Sequence, residues 1–359
     1  MEPNVDLLYN GQAQGAMANY IQANGGMNTG KSRPYINPQT GKAYVTVYLG
    51  GDPKSISSYS QIEVNEGTLR REEWIQLDKA VLTAAQNRLT GIQDLRANGL
   101  IYSLGNAMAT TVLEWHTSGE HGEAIVSMDG IGRGQNDAPT YDTKYLPIPI
   151  LHSDYQISER VLAASRLMGN PIDTTDAENA SRNVAEKLEK MLFTDILYKF
   201  GGGAIYSYVN FPHRGEMTLT MGWDESGKTG KMIVDEVLAM KQMSMDAKHY
   251  GPWMIYIPSA YETKLDEDYS DSKGEKTIRD RIMAIANIKG IKVVDFLAAD
   301  TVLLVQMTSD VVRLVDGLPI QNIQWKSEGN LVNNYKVMTI QVPQIRADQN
   351  NRTGIVHLA

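Results

Sequence analysis

Residues 176–200 read DAENASRNVAEKLEKMLFTDILYKF, and the apolar spacing in this stretch constrains what the rest of the chain can become. Ala180, Val184, Leu188 and Met191 recur at steps of four and three, and Ala177, Ala185, Leu192 and Ile196 widen the stripe into one core-facing side of a helix. Thr174, Thr175 and Asp176 can cap its N-terminus, Pro171 and Gly169 stand outside it, and Gly201, Gly202 and Gly203 predict its end. At about 1.5 Å per residue such a helix is roughly 37 Å long, a spine for other segments to pack on. The stretch carries no catalytic signature, so function has to be approached through architecture.

With 359 residues, 42% hydrophobic and 21% charged, the chain has material for about two domains. It has no cysteine, which excludes disulfides, thiolate metal sites and cysteine nucleophiles. MEPNVD lacks an apolar signal region and no run of about 18 apolar residues follows, so a soluble protein made in a cytoplasm is expected, with no membrane partner. A net charge of -8 argues against a dedicated nucleic-acid binder, which needs a basic stripe, but allows a surface that merely encloses nucleic acid.

Residues 1–70 are rich in Gly, Asn, Gln, Ser and Tyr and read as an arm. Within it, Gly25–Ser32 (GGMNTGKS) matches the phosphate-loop pattern G-x-x-x-x-G-K-[ST]. That loop works only between a buried strand and a helix; here polar AMANYIQAN precedes it and Arg33-Pro34 follows, so a glycine-rich arm is the preferred reading. From Arg71, the sequence REEWIQLDKAVLTAAQNRLTGIQDLRANG carries Trp74, Leu77, Val81, Leu89, Ile92 and Leu95 at helical spacing and predicts one helix stopped by Gly99.

Residues 113–143 alternate, with glycine turns, and predict a long β-hairpin or extended loop. Glu114, Glu120, Glu123, Asp129, Asp137 and Asp142 stand against a single Arg133, a local charge of -5 that seeks a basic partner. His116, His121 and Glu120 suggest a metal cluster, but H-x-x-x-E-H is one residue too long for the inverted zincin pattern, and solvated loop histidines are the preferred reading. Residues 228–316 alternate helical and strand patterns and predict a compact α/β unit: a helix at 230–248, the strand WMIYIP, a Ser259/Glu262 capping box, and a helix at 275–287. The later strands, NLVNNYKVMTIQVPQI and TGIVHL, are expected to return to the spine-helix domain.

The order of these parts resembles the Hong Kong 97-type fold of tailed-phage major capsid proteins and of the related encapsulins. The resemblance rests on the tryptophan-bearing helix, the acidic loop, KYLPIPIL with DYQIS, NASRNVAEKLEKMLF, the unit around GPWMIYIP, and IKGIKVVDF followed by TVLLVQ. It implies an α+β fold with an N-terminal arm (1–70), an N-terminal helix and connection (71–112), an extended loop (113–143), a peripheral domain (144–225 and 329–359) carrying the spine helix 176–200, and an axial α/β domain (226–328). Function follows from the same resemblance: a non-catalytic major capsid protein, assembling as hexamers and pentamers into an icosahedral shell around double-stranded DNA, in a virion put together in the host bacterial cytoplasm. Its partners would be copies of itself, with scaffolding, portal and decoration proteins as further candidates, and no cofactor or metal. Encapsulins usually begin near the tryptophan helix, whereas about 70 residues precede it here, which favours the virus over an encapsulin-like cargo compartment. A P-loop nucleotide hydrolase is the remaining alternative.

Some capsids of this type are welded by a loop lysine, but residues 100–143 contain no lysine, so a non-covalent shell is expected. The expected inter-subunit contact joins Glu114, Glu120, Glu123 and Asp129 of the acidic loop to Arg182, Lys187 and Lys190 on the spine helix of a neighbour. The axial cations Lys276, Arg279 and Arg281 are the second choice.

Overall fold

The computed structural model describes residues 35–37, 39–48, 59–64, 69–86, 89–118, 128, 141–168, 173–269, 276–326, 332–348 and 350–359. The strands are β1 (Tyr35–Ile36), β2 (Ala43–Tyr48), β3 (Tyr59–Val64), β4 (Ile101–Ser103), β5 (Val112–Ser118), β6 (Tyr141–Pro147), β7 (Leu151–Ser158), β8 (Tyr198–Phe200), β9 (Gly203–Ile205), β10 (Gly215–Met217), β11 (Trp253–Ile257), β12 (Ile288–Val293), β13 (Val302–Gln306), β14 (Val312–Lys326), β15 (Val332–Ile345) and β16 (Ile355–Leu358). The helices are α1 (Arg71–Gln86), α2 (Thr90–Ala97), α3 (Glu159–Met168), α4 (Thr175–Phe193), α5 (Gly230–Asp246), α6 (Glu262–Leu265) and α7 (Ile278–Met283). The described residues fall into two compact units. One draws on 1–88, 150–186 and 318–339, the other on 89–149, 187–317 and 340–359.

In the first unit the helical stripes seen in the sequence meet. Trp74, Leu77 and Val81 of α1 pack with Ala177, Ala180 and Val184 of α4, Leu162 of α3, and Tyr335 and Val337 of β15. The small residues of α4 let α1 come close, and Ser181 donates its hydroxyl to the Val81 carbonyl at 2.6 Å. The Trp74 ring meets Tyr335 edge-on at 6.2 Å, and Tyr335 stacks on Tyr155 at 5.1 Å. β7 is an edge strand that runs antiparallel to β15 from Val332↔Ser158 to Thr339↔Leu151, and its side chains alternate between half-buried and exposed, as a sheet with one packed and one solvated face requires. Arg166 grips Glu73 through two hydrogen bonds of 2.9 and 2.7 Å. Burial alone would raise the Glu73 carboxyl, but this guanidinium and the Arg70 amide outweigh it and hold the group below the usual glutamate range.

The second unit is built on a five-stranded sheet of order β10-β16-β13-β11-β12. β11 lies parallel to β12 and antiparallel to β13, and all five of its residues are buried, which explains its uninterrupted apolar sequence. Ile233, Val237 and Met240 of α5 cover it, packing with Ile255, Ile257, Val302, Leu304, Val356 and Leu358. The Lys228 ammonium is completely buried beside this core, ion-paired with Glu236 and 3.1 Å from the Met221 carbonyl. Glu236 also accepts from the Trp223 indole N–H at 2.7 Å.

Four expectations change. The 71–99 helix is two helices, separated around Leu89, because the N-terminus of α2 is held by Glu189 and the ring of Phe193 occupies the space a side chain at position 91 would need, 2.6 Å from an ideal Cβ. The spine helix ends at Phe193, not at 200: the Thr194 hydroxyl bonds the Lys190 carbonyl at 2.6 Å, the Tyr208 amide takes the Leu192 carbonyl at 2.9 Å, and Tyr198–Phe200 enter a strand. Ser259 makes no capping hydrogen bond, since a 3-10 turn from Ser259 to Tyr261 leads into α6; the capping box sits instead at Thr277 and Asp280, before α7. The C-terminal strand β16, expected with the peripheral range, pairs with β10 and β13 inside the sheet that carries β11, where Ile355, Val356 and Leu358 are buried. Gly25–Ser32 lies outside the described residues.

Candidate functional site

The expected extended loop begins on a regular stem. β5 and β6 pair antiparallel from Val112↔Pro147 to Ser118↔Tyr141, so residues on either side of the acidic stretch are held across from one another. Glu114 lies opposite Tyr145 on this stem and is exposed; among the described residues it makes no ion pair. Glu120, Glu123 and Asp129 lie outside the described residues. His116 faces Thr143, its Nδ1 3.1 Å from the hydroxyl, and no group of three or more His, Asp or Glu among the described residues could hold a metal ion. His121 and Glu120 are again outside.

Of the expected cationic partners, Arg182 and Lys187 are exposed on α4. Lys190 is half-buried, with its ammonium 5.0 Å from the centre of the Phe296 ring, a cation–π contact that occupies part of its charge. Two of the second-choice cations are also engaged: Arg279 bonds Asp266 at 2.8 Å, and Arg281 lies 4.9 Å over the Tyr269 ring, whereas Lys276 is exposed, like Arg182 and Lys187. Of the three first-choice cations, Arg182 and Lys187 are the most available.

The sequence reading missed a cleft of about 640 Å³ at the foot of the stem. Trp115 and Tyr145 of the stem, Phe200 and Tyr206 near the β8–β9 hairpin, Phe211 and Arg346 line it. Its wall depends on glycine. Gly201 and Gly202 have φ of 58° and 79°, which turns β8 back on β9 in a two-residue connection that side-chain-bearing residues adopt only with strain. At Gly203 an ideal Cβ would stand 2.3 Å from the Tyr145 carbonyl oxygen, so β9 can reach β6 only without a side chain. The signal was in the sequence: Tyr198-Lys199-Phe200 before Gly-Gly is a hairpin pattern, overlooked because three glycines also end helices. Gly203→Ala is therefore expected to lower stability by about 1–3 kcal/mol through overpacking. Gly105→Ala, with nothing among the described residues within 4 Å of its Cβ, should be close to neutral. Urea unfolding of both variants checks this; equal midpoints would mean the β6–β9 approach is not tight.

The comparisons with known proteins agree with this architecture. The model of a family described only as a family of unknown function, DUF6260, matches residues 64–358. The Type 1 encapsulin shell protein EncA of Myxococcus xanthus (strain DK1622) is 23% identical over 206 residues, 57% of this chain; the match spans 66% of that protein, just under two thirds of its length. The virus-like particle of Pyrococcus furiosus superposes with a TM-score of 0.59 at 17% identity, covering 80% of this chain and all (100%) of that one. The capsid of the Myoviridae phage XM1 gives 0.58 at 9% identity, covering 75% and 91%. At these identities the structural likeness establishes the fold: α+β, of the Hong Kong 97 type.

Proposed function

We propose, from the premise that the chain belongs to the family of unknown function DUF6260 and has the Hong Kong 97-type fold, that it is a shell protein whose copies associate into a closed particle. The observation that carries this reading is the structural likeness to the virus-like particle, which covers 80% of this chain and all (100%) of that one. In the finer form of the reading, the protein is the major capsid protein of a tailed phage: hexamers and pentamers closing an icosahedral shell around double-stranded DNA, assembled in the host cytoplasm, with no catalytic step. Two features support the phage form. The chain resembles the XM1 capsid, and a three-stranded antiparallel sheet, β1-β2-β3, precedes the tryptophan-bearing α1. Scaffolding, portal and decoration proteins would be its partners besides itself. A cargo-enclosing compartment is the second reading, favoured by the match to EncA. For the contact between copies, the proposal keeps Glu114, Glu120, Glu123 and Asp129 facing Arg182, Lys187 and Lys190 of a neighbour.

The test is electron microscopy of purified particles with analysis of what they hold. The phage form requires nuclease-protected double-stranded DNA in particles from infected or induced cells, whereas a defined protein cargo without DNA would replace it by the compartment reading. Absence of any particle or capsomer would remove both. Boiled particles should run as single chains near 39.8 kDa, because the 100–143 stretch offers no lysine for welding; a heat-stable ladder of multimers would contradict a non-covalent shell.

A further inference from the structure

Glu189, near the end of α4, has no exposed surface. Its carboxylate accepts from the Gly91 amide at 2.5 Å and the Ile92 amide at 3.4 Å, and the Thr90 amide also donates to it. These are the first backbone donors of α2, which are otherwise left over at a helix start. Leu89, at the capping position, supplies no side-chain bond, so an acid 98 positions away caps the helix in its place. One turn further along α2, buried Asp94 accepts from the Tyr256 hydroxyl at 3.2 Å, with the Lys292 ammonium 4.0 Å away.

Aromatic rings close the site. Phe193 lies 4.9 Å from Tyr256 and 5.5 Å from Tyr208, and Tyr208 lies 6.2 Å from Tyr256. The Tyr208 hydroxyl is buried, and among the described residues it has no hydrogen-bond partner. The groups that face Glu189 are therefore three amides and Asp94 from α2, Tyr208 from the segment after β9, and Tyr256 from β11. The cation Lys292, from β12, reaches Asp94 and is half exposed. Two carboxyl groups share an apolar cage whose nearby ammonium serves one of them.

We propose that Glu189 is a protonation-controlled latch between the N-terminus of α2 and the last turns of α4, closed when its carboxyl holds a proton and loosened when it is ionised. A charge in this cage has little water to solvate it and a second carboxyl beside it, while the helix amides compensate only in part. Burial pushes the Glu189 carboxyl up to about 7, the Asp94 charge adds to this, and the three amides pull against it. Since the folded group holds its proton more tightly than the ordinary value of 4.5, the latch contributes fully below about pH 4.5 and weakens as pH rises to about 7. Above that it changes no further. The latch works near neutrality, on the helix that precedes β4, and it stands independently of what the shell encloses.

Hydrogen exchange at Gly91 and Ile92 in the full-length chain, corrected for intrinsic rates, measures the opening. Between pH 4.5 and 8.5 the opening constant should rise on the order of 10²-fold, the full range of the proton-affinity difference. In Glu189→Gln most of this rise should vanish, because the amide accepts the same N–H bonds but does not titrate, and what remains comes from Asp94, whose carboxyl burial also raises. Asp94→Asn keeps an acceptor for Tyr256 but removes the neighbouring charge, so it should move the midpoint to lower pH, which loss of a merely structural hydrogen bond would not do. Flat wild-type opening overturns the latch, as does an unmoved midpoint in Asp94→Asn. The second measurement decides the matter even where Glu189→Gln fails to fold.

Discussion

Glu236→Ala should be among the most damaging single substitutions in the second unit, with a loss of about 3–5 kcal/mol, the usual cost of leaving one member of a buried ion pair alone. The ammonium of Lys228 has no exposed surface and would keep only the Met221 carbonyl, and the Trp223 indole N–H would lose its acceptor at the same time. Trp223 is itself wholly buried and stacks on Tyr261 at 5.3 Å, so the only route for water to the orphaned groups is the narrow space the Glu236 side chain leaves. Lys228→Met should be milder. It leaves Glu236 partly exposed, at 19%, and still bonded to Trp223, and the new side chain fills the channel the lysine stem occupied. Urea unfolding of the unassembled chain gives both numbers, and finding the two variants equally destabilised would contradict this account of the pair.

The second large effect is expected on assembly. Changing Glu120, Glu123 and Asp129 together to lysine turns the local charge of the 113–143 stretch from -5 to +1. Each exposed charge pair contributes only about 0–1 kcal/mol, so single changes should do little. If the proposed contact forms, three changes in every subunit act at every copy of it and set lysines against Arg182 and Lys187. The variant should keep the circular dichroism and melting temperature of the parent while particle formation fails at low salt. Added salt should restore it in part, because the Debye length falls from about 8 Å at physiological ionic strength to about 3 Å at 1 M. Normal particles at every salt concentration would show that this contact is not electrostatic.

What could be read from the sequence divides along a physical line. The first turns of α4, the position of α1 and the buried run of β11 are dictated by local periodicity, and Ala180, Val184 and Leu188 are buried as the stripe requires. The end of α4 is a competition. Thr194, Tyr198 and Phe200 favour leaving the helix, but the outcome also depends on Tyr208 arriving to take the Leu192 carbonyl, which no window around residue 194 contains. The break before α2 has the same character, because Glu189 and Phe193, about a hundred positions away, stabilise it. Charges were legible as a pattern, not as availability: Arg182, Lys190 and Arg281 look alike in sequence, yet Lys190 and Arg281 rest on aromatic rings. The cleft beside the stem needed Gly203 and Tyr145 to be neighbours in space, a fact carried by neither segment alone.

The position of β16 bears on the timing of biosynthesis. Its residues, Ile355–Leu358, run between β10 and β13, so a nascent chain that has already made Gly215–Met217 and Val302–Gln306 still holds an unfilled slot between them. Both strands then show bare edges, the condition in which chains pair with one another instead of with themselves. Only the emergence of residues 355–358 from the ribosome seals that slot, and the same late strand supplies Val356 and Leu358 to the core under α5. The five-stranded sheet is therefore complete only once Ile355–Leu358 has been made and has paired with both neighbours.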